Sequence, residues 1–339
     1  MCILVTGGAG FIGSHTVLQL LEQGHDVIVL DNFSNSSPKA LEIVSEISGR
    51  KPKIITGDVR NYETLNNLFN NYNVKSVMHF AGLKAVGESA NMPIEYYDNN
   101  VYGSTQLFKA MHQHEVKNIV FSSSATVYGD PVSLPLNESM KLGTPTNPYG
   151  RTKLIIEDIL RDWHKSDKTL SISILRYFNP VGAHYSGKIG ENPAGMPNNL
   201  MPYICQTAIG KLKVLSIFGD DYETHDGTGI RDFIHVSDLA GGHLFALEKC
   251  LKDKGLHTYN LGTGNGTSVL ELIGCFEKVN NVKVKYQISN RREGDVAACF
   301  ADVSKIKNEL GWEAQYSISD MCRDAWNWQK QNPDGYDAS

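Results

Sequence analysis

Tyr149 and Lys153 stand four positions apart in the stretch NPYGRTK, residues 147 to 153. On a helix that spacing puts a phenol and an ammonium one turn apart on the same face. A phenol with an unperturbed pKa of ~10 is a poor base at neutrality. A neighbouring ammonium favours the phenolate, and reaching ~7 needs about 4 kcal/mol of differential stabilisation. The pair could then take up and release a proton near neutral pH. Taken alone, the same spacing describes a tyrosine and a lysine on any surface helix. Its meaning depends on the elements that position it.

Those elements begin with a nucleotide cradle. Residues 2 to 6, CILVT, form a short apolar run of β type, and GGAGFIGS follows. An amphipathic stretch, HTVLQLLEQG, then ends at Gly24, and a second apolar run, DVIVL, is closed by Asp31. Strand, glycine turn, helix, strand and acid is the dinucleotide arrangement, here with the spacing Gly7, Gly10, Gly13. Glycines let the backbone approach a pyrophosphate, and the helix N-terminus offers unpaired N–H groups and a partial positive charge. Asp31 can accept hydrogen bonds from a ribose 2′-hydroxyl and would repel a 2′-phosphate, which favours NAD over NADP. A tight turn followed by an exposed Asp is the alternative.

The βα rhythm continues. KIITGDV (53 to 59) reads as a strand ending at Asp58, placed to meet an adenine, and SVMHFAG (76 to 82) as a strand with Lys84 just beyond. Asn99 falls in the helix that follows. NIVFSSSATVYG (118 to 129) carries three serines at its end, and SISILRYFNPVG (171 to 182) ends in Tyr177, Phe178 and Asn179. Parallel strands alternating with helices predict an α/β, doubly wound sheet with ligands at the carboxyl ends of the strands. Asp58, Gly82, Ser124 and Asn179 all fall there, although turn chemistry would account for each singly. The expected division is a dinucleotide-binding domain over 1–180, with the chain returning to it at about 231–262, and a smaller, interleaved α/β domain over 181–339. Residues 183 to 230 are rich in Gly, Pro, Asn and Asp and should be irregular, apart from a helix at LMPYICQTAIGKL.

Composition narrows the class. The 339 residues are 41% hydrophobic and 20% charged, as in an ordinary globular protein, and the net charge of -5 argues against a nucleic-acid binder. Six cysteines carry no C-x-x-C pair, so neither a disulfide framework nor a zinc site is expected, and a reducing cytoplasm fits. No apolar run approaches the ~20 residues that cross a bilayer, and no basic segment precedes the first apolar stretch, so neither membrane insertion nor a signal peptide is expected.

The set TGGAGFIG, Asp31, HFAG with Lys84, SSSATVYG, YGRTK, RYFNPVGAH, PNNLMPY, GIRDFIHVSDLA, YNLGTG and RREGD resembles the UDP-hexose 4-epimerases of the extended short-chain dehydrogenase/reductase family. The likeness runs in order from residue 3 to about residue 330. RYFNPVGAH, PNNLMPY and RREGD are its more specific parts. The resemblance implies a Rossmann sheet, a retained NAD, UDP-hexose substrates, a homodimer and a cytoplasmic setting. It implies that Tyr149 is the acid–base group, that Lys153 tunes it and binds the nicotinamide ribose, and that Ser124 assists proton transfer. Gly7, Gly10, Phe11, Ile12, Gly13, Asp31, Asn32, Asp58, Val59, Phe80, Ala81, Lys84 and Asn99 would surround NAD, with Tyr177 and Phe178 flanking the nicotinamide. Asn179, Asn199, Leu200, Phe218, Arg231, Arg292 and Asp295 would hold the UDP-sugar, and no metal is implied.

The implied chemistry accounts for these choices. C4 of a pyranose carries no acidic proton, so inversion there requires transient oxidation, rotation of the ketose and return of hydride to the other face. The grip should be strong on UDP and weak on the hexose. Arg231 and Arg292 suit a pyrophosphate, although two surface arginines would be the ordinary reading elsewhere. Asp295 either binds ribose hydroxyls or pairs with an arginine. Related dehydratases and decarboxylases carry acidic residues just after the position of Ser124, whereas this chain has Ala125 and Thr126. A dissociating NAD(P)H oxidoreductase remains open on spacing alone, and a redox-sensing binding protein would be expected to lose the Tyr/Lys pair. The family has a tyrosine or a small residue where this chain has Cys299. A small side chain there leaves room for a 2-acetamido group, so UDP-GlcNAc and UDP-GalNAc are also expected substrates, unless Cys299 is only an apolar filler.

Overall fold

Strand Cys2–Thr6 is buried on both faces beyond its first residue, as a parallel strand covered by helices must be. It starts a seven-stranded sheet in the order Gly255–Leu261, Ser171–Tyr177, Asn118–Ser124, Ser76–His79, Cys2–Thr6, Asp26–Asp31, Lys53–Thr56. From Asn118–Ser124 through to Lys53–Thr56 the pairings are parallel. The chain thus enters at the middle of the sheet, winds outward to Lys53–Thr56, and crosses to the other side at Ser76–His79. That reversal is the switch point at which α/β sheets bind ligands. The structure, a computed structural model, describes residues 1–193, 195–292 and 294–337, so Glu293 of the RREGD stretch lies outside the described residues.

The chain divides into two compact units: residues 1–129, 142–176 and 240–259 in the first, and 130–141, 177–239 and 260–339 in the second. In the first unit, Leu4, Ile28, Val77, Ile119, Phe121 and Ile172 of the sheet pack with Leu107, Met111, Ile156 and Leu160 of the covering helices in one core. Helix Pro148–Ser166 starts where the sequence dictates. Asn147 caps it by accepting from the Gly150 N–H at 2.8 Å, and Pro148 occupies a first-turn position where a missing N–H costs nothing.

The second unit is held by a buried acid. Asp232 has no exposure, and its carboxylate accepts from Thr263 N (2.8 Å), Thr263 Oγ1 (2.7 Å), Gly264 N (3.0 Å) and Ala301 N (3.1 Å). The YNLGTG stretch is therefore a wrapping for that carboxylate. Asp232 follows strand Ile230–Arg231, which pairs with both Thr267–Ser268 and Ala298–Cys299. A separate core gathers Ile204, Phe233, Leu272, Phe276, Met321 and Trp326.

Four details differ from the sequence expectation. The strand before Asp58 ends at Thr56, and the one before Gly82 ends at His79. The strand of SISILRY stops at Tyr177, because Phe178 N turns to Leu261 O and Asn179 N to Asp232 O, so that Asn179–Val181 pairs with Phe233–His235 instead. Asn99 sits in a π-helical turn, Tyr97–Tyr102, between the helices Pro93–Tyr96 and Gly103–Gln113. Residues 130–141 belong to the second unit rather than the first. Leu136 N donates to Phe300 O at 2.9 Å, and Asp302 N donates to Leu136 O at 2.7 Å.

Replacing Asp232 by alanine strips four donors of their acceptor. The expected cost is about 3 kcal/mol, read as a lowered midpoint in urea unfolding. A loss below about 1 kcal/mol would show that water replaces the carboxylate there.

Candidate active site

At the carboxyl end of strand Asn118–Ser124, the chain turns into a 3₁₀ segment, Ala125–Tyr128. Ser124 caps that turn: its Oγ accepts from Thr126 N at 3.2 Å and from Thr126 Oγ1 at 3.0 Å. The Ser124 hydroxyl proton is thereby left for another acceptor. Tyr149 is half-buried, and the Ser124 side chain acts on its phenol. Lys153 is only 6% exposed. Its Nζ donates to Ser122 O at 2.8 Å and lies 5.9 Å from the centre of the Tyr149 ring and 5.1 Å from that of Phe121. The three groups therefore meet at one strand end.

The electrostatics correct the expectation of an acidified phenol. Burial raises the Tyr149 pKa above 10.0, and the Ser124 side chain opposes it. Lys153 falls from 10.5 to about 8 because its ammonium is desolvated. The ammonium points to a carbonyl and a ring face rather than at the phenol oxygen, so desolvation outweighs its pull.

The glycine turn fits a dinucleotide. Gly7 has φ +70°, and a Cβ there would lie 2.6 Å from Ala81 N, while a Cβ on Gly13 would collide with Gly7 O. Helix Phe11–Glu22, with Ile12 in its first turn, begins at Gly10 without a side-chain cap, an arrangement suited to an anion at its first N–H groups. Asp31 ends strand Asp26–Asp31, accepting from Ala9 N (2.9 Å), Phe33 N (3.0 Å) and Ser36 Oγ (2.8 Å). The carboxylate thus shapes the turn and retains lone pairs for a ribose. Asn32 donates to Asp58 at 3.0 Å, and Arg60 forks onto Asp58 at 2.9 and 2.8 Å, holding that carboxyl at about 2. Val59 is buried behind them. Phe80 packs on His243 at 4.7 Å, Ala81 N donates to Thr6 O at 3.1 Å, and Lys84 is exposed on the following loop. Asn99 Nδ2 donates to Asn100 Oδ1 at 2.9 Å.

In the second unit, the two expected arginines share one carboxylate. Arg292 Nε donates to Asp295 at 3.0 Å, Arg231 Nη2 lies 3.9 Å from it, and the Arg292 guanidinium lies 4.8 Å from the centre of the half-exposed Phe218 ring. Cys299 is in register with Arg231, and burial pushes its thiol up to about 11. Asn179 begins the strand beside Phe233, two residues from Arg231, and Tyr177 and Phe178 are buried just before it. Asn199 precedes helix Leu200–Ala208 and donates to Glu191 at 2.6 Å.

A family model described as GDP-mannose 4,6 dehydratase matches residues 4–325. The UDP-glucose 4-epimerase of Pasteurella multocida is 58% identical over 336 residues, 99% of each chain. The solved UDP-glucose 4-epimerase of Bifidobacterium longum, in complex with NAD+ and UDP, superposes with a TM-score of 0.96 at 53% identity over 99% of this chain and 100% of that one. The chain belongs to the UDP-glucose 4-epimerase family. It is an NAD-dependent isomerase that interconverts UDP-galactose and UDP-glucose. The UDP-Glc/GlcNAc 4-epimerase of Campylobacter jejuni is also similar, at 38% identity and a TM-score of 0.85 over 97% of this chain and 99% of that one.

The 4-epimerase assignment agrees with the turn after Ser124, where Ala125 is buried and Thr126 spends its hydroxyl on Ser124. Neither supplies the acid that elimination of water needs. Sequence reasoning missed several residues that brace this epimerase site. Asn100 accepts from Leu83 N (2.8 Å) and donates to Leu83 O (3.0 Å) and Thr152 Oγ1 (3.1 Å), tying the loop before Lys84 to helix Pro148–Ser166. His79, buried and held neutral with a pKa lowered to about 3, bridges Thr6 Oγ1 (2.7 Å) and Ser104 Oγ (2.9 Å).

Lys153 carries a stability signature. Its folded pKa of about 8 lies below the ordinary 10.5, so the burial penalty is fully present below pH 8 and is relieved as pH rises towards 10.5. Between those limits the wild type should gain up to about 3 kcal/mol relative to Lys153→Met. Urea unfolding of both proteins at neutral and alkaline pH checks this, and a pH-independent difference would contradict it.

Proposed function

We propose that Tyr149 is the acid–base group of the interconversion, with Ser124 and Lys153 as its partners. The observation that carries this reading is their meeting at one strand end, with Ser124 acting on the phenol and Lys153 5.9 Å from the centre of the same ring. Tyr149 takes the proton of one 4-hydroxyl epimer and returns it to the oxygen of the other. Ser124, whose oxygen accepts from Thr126, keeps its proton and donates a hydrogen bond to the phenolate or the sugar oxygen. Lys153 supplies the cation that favours the phenolate against burial and binds the nicotinamide ribose.

Bound at the glycine turn, NAD supplies a reversible hydride acceptor for C4. Gly7, Gly10, Phe11, Ile12 and Gly13 would hold its pyrophosphate, Asp31 and Asn32 the adenosine ribose, and Asp58 and Val59 the adenine. Phe80, Ala81, Lys84 and Asn99 would line the rest, with Tyr177 and Phe178 beside the nicotinamide. For the substrate, Arg231 and Arg292 suit the UDP diphosphate, and their shared Asp295 is placed to exchange an arginine for ribose hydroxyls. Asn179, Asn199, Leu200 and Phe218 would complete the grip. Cys299, small and level with Arg231, supports a range that extends to UDP-GlcNAc and UDP-GalNAc, and the similar Campylobacter protein is a UDP-Glc/GlcNAc 4-epimerase.

A homodimer and a cytoplasmic setting belong to the same reading. The family resemblance implies a subunit contact through helices that include parts of residues 91 to 113 and 150 to 166. Ile94, 74% exposed, and the half-exposed Tyr102 present apolar surface on the first of these, and all six cysteines are free thiols. Among the described residues no helix is long and apolar enough to cross a membrane.

Purified protein given UDP-galactose without added NAD should form UDP-glucose, and conversion only with added NAD would overturn retention of the cofactor. Tyr149→Phe should keep UDP binding and lose about 10³-fold in kcat. Near-normal turnover would remove Tyr149 from the acid–base role. Cys299→Tyr should abolish conversion of UDP-GlcNAc while sparing UDP-galactose. A wild type that never forms UDP-GalNAc sinks the wider range.

A further inference from the structure

One costly feature of the first unit touches neither substrate nor cofactor residues: an ion pair with both partners out of water. Glu157 and Arg176 have side chains 0% and 2% exposed. Glu157 Oε1 accepts from Arg176 Nε at 3.0 Å and from Ser123 Oγ at 2.5 Å, and Oε2 accepts from Arg176 Nη2 at 2.7 Å and Arg161 Nη2 at 2.6 Å. The Arg176 guanidinium lies 4.8 Å from the centre of the Tyr128 ring.

Each partner contacts an element that carries or adjoins a reacting group. Tyr149, Lys153 and Glu157 follow one another at intervals of four along a single stripe of helix Pro148–Ser166. Ser123 precedes Ser124, and Tyr128 closes the 3₁₀ turn that Ser124 caps. One carboxylate and one guanidinium therefore join the helix bearing Tyr149, the strand end bearing Ser124, and the turn between them. A well-packed apolar pair would stabilise this interior as well or better. What an apolar pair lacks is direction: only a planar fork meets both carboxylate oxygens at once and fixes helix rotation against the strand.

We propose that Glu157 and Arg176 are positioning residues that hold the Ser124 hydroxyl in register with the Tyr149 phenol. The proposal rests on the roles given above to Tyr149 and Ser124. Loosening the pair should move the Ser124 hydroxyl away from the phenol and weaken its opposition to burial, so the phenol should titrate at higher pH, and the low-pH limb of kcat should move up with it.

The test compares the wild type with the neutral double variant Glu157→Leu/Arg176→Met and with Arg176→Lys, which keeps the charge and loses the fork. Expected for the double variant are a melting temperature at or above that of the wild type, a KM for UDP-galactose within about twofold, and a kcat at least about tenfold lower. The low-pH limb should shift upward. So should the phenolate absorbance titration, taken as the difference between each protein and its Tyr149→Phe counterpart. Arg176→Lys should show the same shift in smaller measure, and it carries the test if the double variant does not fold. An unmoved pH limb, or a kcat loss that follows melting temperature alone, overturns the proposal. If Tyr149→Phe is itself active, the acid–base reading falls. If it is inactive while the limb stays put, only the positioning role falls.

Discussion

Burying an ammonium with no carboxylate against it is the constraint around which the first unit is arranged. Lys153 finds one carbonyl and two ring faces, and each comes from an element fixed elsewhere. Ser122 and Phe121 belong to an interior strand of the sheet. Tyr149 is set by the cap at Asn147 and the proline that follows it. The cost of desolvation keeps the cation responsive, since a fully paired lysine would have no reason to favour a nearby phenolate. Acid–base tuning here is thus a balance between burial, which opposes both charges, and a few directed contacts, which restore them.

The second unit uses the opposite arrangement. Arg231, partly buried, and Arg292, more exposed, share one carboxylate. The rigidity lies one residue away, in Asp232 and its four donors. A hard buried anchor beside a loosely held pair of cations suits a site that must capture a diphosphate and release it again. The hydrophobic groups level with them, Phe218 and Cys299, are partly open and offer shape rather than charge.

The local geometry that a nucleotide site would need was legible because neighbours in sequence set it. The turn Gly7–Gly13, the acid at the end of the next strand and the capped helix at Asn147 are each specified by neighbours in sequence. Asp232 was read only as part of a motif, because its donors come from 263, 264 and 301, and nothing local signals such a convergence. Arg176 reads as one polar residue in an apolar strand, and its partner Glu157 as an ordinary helix acid. The stripe Tyr149, Lys153, Glu157 was visible in the spacing, but not the burial that gives its third member meaning. The raised phenol pKa was missed for the same reason, since proximity of an ammonium is written in the sequence and desolvation is not.

The π turn at Tyr97–Tyr102 has a consequence for how this chain relates to others. Such a turn holds one residue more than the α-helix around it, and it commonly marks a functional site. Here the surplus residue faces Asn100 toward Leu83 and Thr152 while Asn99 remains beside it. A relative that lost this single residue would keep an unbroken helix from 93 to 113 yet rotate the asparagine pair by about 100°. Between such chains, side chains matched by helical periodicity would be misassigned by one place on only one side of the turn. The asparagines are thus placed by the length of the helical run as much as by their chemistry.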